Sequence, residues 1–526
     1  MGAADRGWPT DDRGAQPGLS RRVRDVLAQS CRRRRRSQRR GARHALLRQG
    51  RAGTGGPRGP CIAALPVPRR RRVRRGKLTV RRLFDTLAEV LEAQARPGEL
   101  LVATLEAEAS EFVRFNHARV RQAGRLERAV ARLRLIDGDR QAGCAVTLPG
   151  LGTGRDGVAA RIAEAVVDLR AAVAASEPDP LLDVNRSPVV SDDDAPDAVF
   201  DRAAFVDLVA QAAGDADLVG FCAAGPVARG FCSSAGSRQW YRRDSLAFDW
   251  SIHLPDDAGT RRAVKAGWSG PALDAAAVAA AIGRSRADAS VLARPVRRLA
   301  PGDYRVLLAP RALGDLLEMF GWGGFSARAH RTGQSPLGRL ARGEVSMSPL
   351  LSVVEDLDAG FAPAFQSDGY PRPRRVPLIE RGRLVDTLAS PRTAREFGLS
   401  SNAASDHESP ESLRVAPGTL RADEALARLG TGVSVSNLWY LNWSDRAAGR
   451  VTGMTRFASL WVEDGEPVGP IEAMRFDDAV HRVLGDALEA LGDTPLRMPS
   501  TDTWDSRATG GLEAPSALVS ALRFAL

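Results

Sequence analysis

Between Leu100 and Leu148 the apolar residues recur at every second position, and this stretch constrains the fold more than any other. Phe112, Arg114 and Asn116 alternate with Val113, Phe115 and His117, and further on Ala129, Ala131, Leu133 and Leu135 alternate with Arg128, Val130, Arg132 and Arg134. A period of two is that of a strand with one face buried, so the stretch predicts β-structure. Asp137-Gly138 lies between two such runs and supplies the backbone freedom of a two-residue hairpin turn, returning the chain through Cys144 to Leu148. Just before, Val80, Leu83, Phe84, Leu87 and Leu91 form one helical stripe that Thr79 is placed to cap, ending before Pro97. A helix packed on an antiparallel meander is an α+β beginning.

The following elements are read in the same way. Asp156 is placed to cap a helix whose Val158, Ile162, Val166, Leu169 and Val173 face one way. Residues Glu177 to Asp197 read as a proline-punctuated acidic loop. Its triple Asp192-Asp193-Asp194 lacks the Gly and spaced Glu of a calcium loop, so solvation rather than cation binding is expected. A helix over Phe200 to Ala213 follows, then several short strands between Leu218 and His253, then an Ala-rich helix over Leu273 to Ile282.

From Pro301 to Ser352 a turn, a strand and a helix converge. Tyr304, Val306 and Leu308 alternate with Arg305, Leu307 and Ala309, and Pro310 closes the strand. Leu313, Leu316, Leu317 and Phe320 then recur at helical spacing until Gly321, Gly323 and Gly324 stop the helix. At this point the chain resembles the TldD/PmbA family, the "modulator of DNA gyrase" group of peptide-processing proteins. Phe112 to Gly124, Asp137 to Leu148, Leu218 to His253 and the Val462 to Glu466 turn before an expected last helix at about Asp477 to Leu491 resemble it too, so the likeness runs from Thr79 to Leu526.

The TldD branch of that family carries HExxxH on the corresponding helix, two histidines holding a metal and a glutamate placed for general-base work on bound water. Here the six residues are Leu317, Glu318, Met319, Phe320, Gly321 and Trp322. Glu318 remains, and both histidine positions are apolar. The cysteine that completes the family's site near the C-terminus is also missing, because no cysteine follows Cys232. The resemblance is therefore to the metal-free TldE/PmbA-like branch, which in that family pairs with a zinc-bearing TldD subunit. No catalytic or metal residue is assigned to this chain; Leu317, Glu318, Gly321 and Trp322 are a vestigial motif. Without a cation to acidify water, Glu318 is expected to make a structural hydrogen bond.

Composition fits an ordinary polypeptide interior, with no apolar run approaching the ~18 to 20 residues of a bilayer span. The net charge of +12 suggests nucleic acid, but residues 1–77 hold 23 Lys and Arg against four Asp, whereas the rest carries 52 basic and 59 acidic residues. Residues 1–77 therefore read as a disordered Arg-rich leader, and the favoured explanation is that translation starts near Lys77. Five scattered cysteines without a CxxC pair fit neither a disulfide framework nor a zinc knuckle and point to a reducing cytoplasm.

Other chemistries lack residues. His407-Glu408 begins a zinc motif that Pro410 breaks, and His330 has no second nitrogen or thiolate nearby. Trp322, and Trp439-Tyr440 with Trp443, are candidates to wall a groove for extended peptide, with core or interface packing as the alternative.

The expectation is a two-domain α+β protein: the leader 1–77, a helix-flanked α/β-mixed portion over 78–295, and a β-dominated portion over 296–526 carrying the degenerate helix. The resemblance implies a metal-free subunit of a metalloprotease complex that processes unfolded peptides, with a TldD-like partner supplying zinc; the hydropathy and the mildly acidic body point to neither membrane nor nucleic acid as partner. Two alternatives stay open: an autonomous peptidase with a relocated site, and a non-enzymatic peptide or DNA-topology modulator acting through the basic leader. Homo- and hetero-oligomers are not distinguished by sequence.

Overall fold

Strands of up to 19 residues dominate the chain. The computed structural model describes residues 75–148, 155–195, 199–254 and 262–525, all within the compact unit Arg72–Leu526. The leader reading lies outside the described residues up to residue 74, and its last three residues, 75–77, belong to helix α1 (Arg75–Gln94). Thr79 is inside that helix and does not cap it.

The first sheet is built from β1 (Glu99–Asn116), β2 (Arg119–Asp137), β3 (Arg140–Thr147), β4 (Val190–Asp194), β5 (Asp217–Ser233), β6 (Arg238–His253) and β7 (Ala263–Gly270). Its order is β3-β2-β1-β5-β6-β4, with β7 also pairing β6. The Asp137–Arg140 hairpin forms where the dipeptide predicts it. Odd-numbered residues of β1, from Leu101 to Phe115, face the helices α1, α2 (Arg155–Ala174), α3 (Arg202–Ala213) and α4 (Ala275–Leu292). The expected stripes of α1 and α2 are buried there; each fully buried Leu or Phe contributes ~1.5–3 kcal/mol. Leu100 and Val102 point the other way and pack with Phe231, Tyr241 and Phe365, so this sheet is covered on both faces.

Three sequence readings are corrected here. The segment from Leu218 to His253 is two long antiparallel strands, not several short ones. The Ala-rich helix continues to Leu292. The Asp192-Asp193-Asp194 run is not a solvated loop but strand β4, parallel to β6. Each of its carboxylates meets an arginine: Asp192 with Arg81 at 3.0 Å, Asp193 with Arg243 at 2.7 Å, and Asp194 with Arg242 at 3.1 Å.

The remaining strands form two further sheets. In one, β9 (Val353–Asp356), β10 (Arg375–Glu380), β11 (Arg383–Leu384), β12 (Ser412–Val415), β18 (Leu496–Pro499) and β19 (Gly511–Ala514) run in the order β11-β10-β9-β12-β19-β18. In the other, β8 (Gly302–Leu308), β13 (Gly432–Asp445), β14 (Arg450–Glu463), β16 (Arg475–Ala479) and β20 (Ala517–Ala525) pair successively and close into a ring, because β13 pairs both β8 and β14. Two strands are added at its margins, β15 (Glu466–Pro470) on β14 and β17 (Leu488–Leu491) on β20. The expected last helix at Asp477 to Leu491 is instead the end of β16, a four-residue helix Val480–Val483, and β17. The α+β class and the largely antiparallel sheets are those expected from sequence. No described helix is long and apolar enough to cross a membrane.

Candidate functional site

Strand β8 runs into helix α5 (Pro310–Glu318) as the spacing predicts, with Pro310 opening the helix where its missing N–H costs nothing. One face of α5 buries Ala312, Leu313, Leu316 and Leu317, and Gly314 lets the helix approach Met498 and Leu512 closely. The helix therefore sits between β13 on one side and β18 and β19 on the other. The opposite face carries Arg311, Asp315 and Glu318. A single 3-10 turn, Met319–Gly321, ends the helix, and Gly323 (φ +85°) adopts a left-handed conformation that turns the chain away.

Over this face lies a cavity of about 460 Å³ lined by Arg311, Leu317, Glu318, Gly321 and Trp322, by Ser409 and Pro410, and by the segment Met498 to Asp502. Leu317 is fully buried and Trp322 is half exposed. Glu318 projects toward solvent in the cavity, yet the surrounding protein desolvates its carboxyl and raises it above the ordinary range, against the pull of the Arg311 guanidinium. The structural hydrogen bond expected of Glu318 is absent among the described residues. Asp315 accepts the Leu438 N–H at 2.9 Å, and burial pushes its carboxyl up to about 6.

The other candidates are placed elsewhere. Trp439 and Tyr440 are exposed on β13 with rings 5.7 Å apart, and Arg456 lies 4.2 Å from the Trp439 ring centre. Trp443 packs half-buried against the C-terminal core. None of these three lines the cavity that Trp322 lines. His330 Nε2 is 2.8 Å from the Gly324 carbonyl oxygen and 3.1 Å from Ser335 Oγ, and burial lowers its pKa. His407 is exposed, while Glu408 is buried and binds backbone. Burial pushes the Cys222 thiol up to about 12 and Cys232 higher still, so neither is a reactive thiolate. Sequence reasoning overlooked Arg311 and Asp315, although their positions seven and three residues before Glu318 mark one helix face.

Residues 301–526, the strand, the degenerate helix and the two C-terminal sheets, match the family described as the PmbA/TldA metallopeptidase C-terminal domain. This portion of the chain is therefore a TldD/PmbA-family domain. The fold of the chain is also that of three solved structures. A putative modulator of DNA gyrase from Thermotoga maritima is 16% identical with a TM-score of 0.65, covering 85% of this chain and 100% of that one. TldE from Thermococcus kodakarensis is 15% identical at 0.65, over 85% and 100%. A putative modulator of DNA gyrase from Bacteroides thetaiotaomicron is 13% identical at 0.63, over 85% and 98%. At such identities the likeness is one of fold. No curated protein matches the sequence.

The description of the matching domain implies a catalytic metal, and the residues of this chain do not fit one. A catalytic zinc takes imidazole, thiolate and carboxylate ligands; the cavity wall holds neither His nor Cys, and a guanidinium stands among its carboxylates. Among the described residues no three His, Cys, Asp or Glu side chains gather elsewhere as a metal site.

Proposed function

We propose that this TldD/PmbA chain is a TldE-like, metal-free subunit that joins a TldD-like metal-bearing partner in the cytoplasm to process unfolded peptides. The observation that carries the reading is the pair Leu317 and Trp322 at the two positions where the metal-holding branch has histidine. Leucine and tryptophan offer a cation no lone pair, and Leu317 is packed into the core. In this reading the chain supplies part of a peptide enclosure, with Trp322 in the cavity and the exposed Trp439 and Tyr440 on β13 as aromatic surface for substrate, while zinc and bond cleavage come from the partner. Co-expression with a TldD-like protein tests it. The expected result is a co-purifying pair that hydrolyses unfolded peptide, with the isolated chain inactive. Hydrolysis by the isolated chain, abolished by Glu318→Gln, would instead establish an autonomous enzyme.

A further inference from the structure

Arg311 and Glu318 stand two turns apart on one face of α5, roughly 10 Å along its axis, and both line the same cavity. Among the described residues neither makes a hydrogen bond or an ion pair, although each lies within the other's field. A guanidinium and a carboxylate that face a cavity without partners form a two-pole receptor. Between and around them the wall is mixed: the Trp322 ring, Leu317, Met498 and Leu512 are apolar, and Ser409, Ser500 and Thr501 add hydroxyls. The second carboxylate in the wall, Asp502, accepts the Trp504 N–H at 2.9 Å.

A larger cavity of about 510 Å³ shares the Pro499 to Asp502 segment, but its arginines are spent. Arg243 is paired with Asp193, Arg497 bonds the Ala359 carbonyl at 2.7 Å, and Arg507 holds the Gly225 and Ser245 carbonyls. The charged receptor is therefore the smaller one.

We propose that this cavity binds a short peptide with both ends free, its ammonium at Glu318 beside the Trp322 ring and its carboxylate at Arg311. An ammonium meeting a carboxylate and a carboxylate meeting a guanidinium are charge-assisted hydrogen bonds, and an aromatic face adds attraction for the cation. At ~3.3–3.6 Å per extended residue, a di- or tripeptide matches the separation of the two poles. The volume lies in the ~300–1,000 Å³ range of small-ligand sites. The inference deepens the peptide-processing reading by naming a substrate or product class, and it needs no metal in this chain.

Calorimetry on the full-length chain alone, with trialanine as probe, tests it. Free trialanine binds, and N-acetylation, C-amidation, Glu318→Gln and Arg311→Gln each weaken it at least ~10-fold, the effect of losing one charged hydrogen bond. Acetylation causes no further loss in Glu318→Gln, and amidation none in Arg311→Gln. Thermal melting of both variants in the absence of peptide matches the parent, since both side chains face the cavity. No binding by the parent, equal binding of the doubly blocked peptide, or the opposite pairing of end and substitution overturns the proposal. Partner co-purification is a separate readout, so failure of the subunit reading leaves this result standing.

Discussion

Ser326 Oγ donates a 2.6 Å hydrogen bond to Glu408 Oε2, and the same oxygen accepts the Arg328 N–H at 2.9 Å. The other oxygen accepts the Ser390 N–H at 2.8 Å. Ser326 and Ser390 cap the helices Ala327–Arg331 and Pro391–Phe397, so one buried carboxylate ties two helix starts beside the degenerate motif. Burial raises the Glu408 pKa, but these donors outweigh it and the net effect is a value below 4.5. A depressed carboxyl stabilises the fold above its unfolded pKa, and that contribution disappears as pH falls through the lower folded value. Glu408→Ala is expected to cost about 2–3 kcal/mol at neutral pH, with the gap from the parent closing in denaturant titrations as pH drops below 4.5.

Asp315 has the opposite sign. Its folded value, raised from 3.8 to about 6, means that the unfolded chain gives up this proton more easily. The stabilising contribution of the neutral acid is complete below pH 3.8 and lost as pH rises through about 6. Asp315→Asn keeps an acceptor for the Leu438 N–H and removes the charge. It is expected to stabilise the protein by about 1–2 kcal/mol at pH 7 to 8, after allowance for partial solvent screening, and to give no gain at pH 3.5. Paired thermal melts at the two pH values check this.

Gly369 has φ +81°, and a Cβ there would lie 2.4 Å from the Phe231 ring. Its carbonyl also accepts Asn185 Nδ2 at 3.1 Å and Gln239 Nε2 at 2.9 Å, which fastens its loop to the first sheet. Gly369→Ala combines backbone strain with overpacking and is expected to cost at least about 2 kcal/mol, read as a lowered denaturation midpoint.

Arg507 fastens the segment after β18 to the first sheet, donating to the Gly225 carbonyl at 3.0 Å, the Ser245 carbonyl at 3.2 Å and Ser110 Oγ at 3.3 Å. Arg507→Met leaves those acceptors unpaired and frees the segment. Limited proteolysis is expected to cut between Ser500 and Gly510 in the variant well before the parent is cut.

Local pattern made much of the fold legible. The β8–α5 unit, the Asp137-Gly138 hairpin and the Val462 to Glu466 turn follow from alternation, helical spacing and turn chemistry within a few residues. The long strand β5 was misread because Gly220, Gly225 and Gly230 look like turn residues. They are glycines for clearance: a Cβ at Gly225 would lie 2.3 Å from the Ala109 carbonyl oxygen, and one at Gly230 would lie 2.6 Å from the Phe84 ring. Strand β4 was unreadable because the arginines that neutralise its aspartates lie as far away as Arg81 and Arg374. Strand β16 depends on distant pairing with β14 and β20. At the site, Leu317, Glu318 and Trp322 were visible in the motif. The cavity needed Ser409 and Ser500 to Asp502, which only tertiary packing brings to the helix.

We propose that bond-breaking power comes to this chain from another polypeptide. Elemental analysis of the purified chain alone, alongside a peptide hydrolysis assay on the same sample, tests that most directly. The expected result is far less than one zinc per chain and no cleavage, with both appearing when a TldD-like partner is added. One zinc per isolated chain together with peptide cleavage would contradict it.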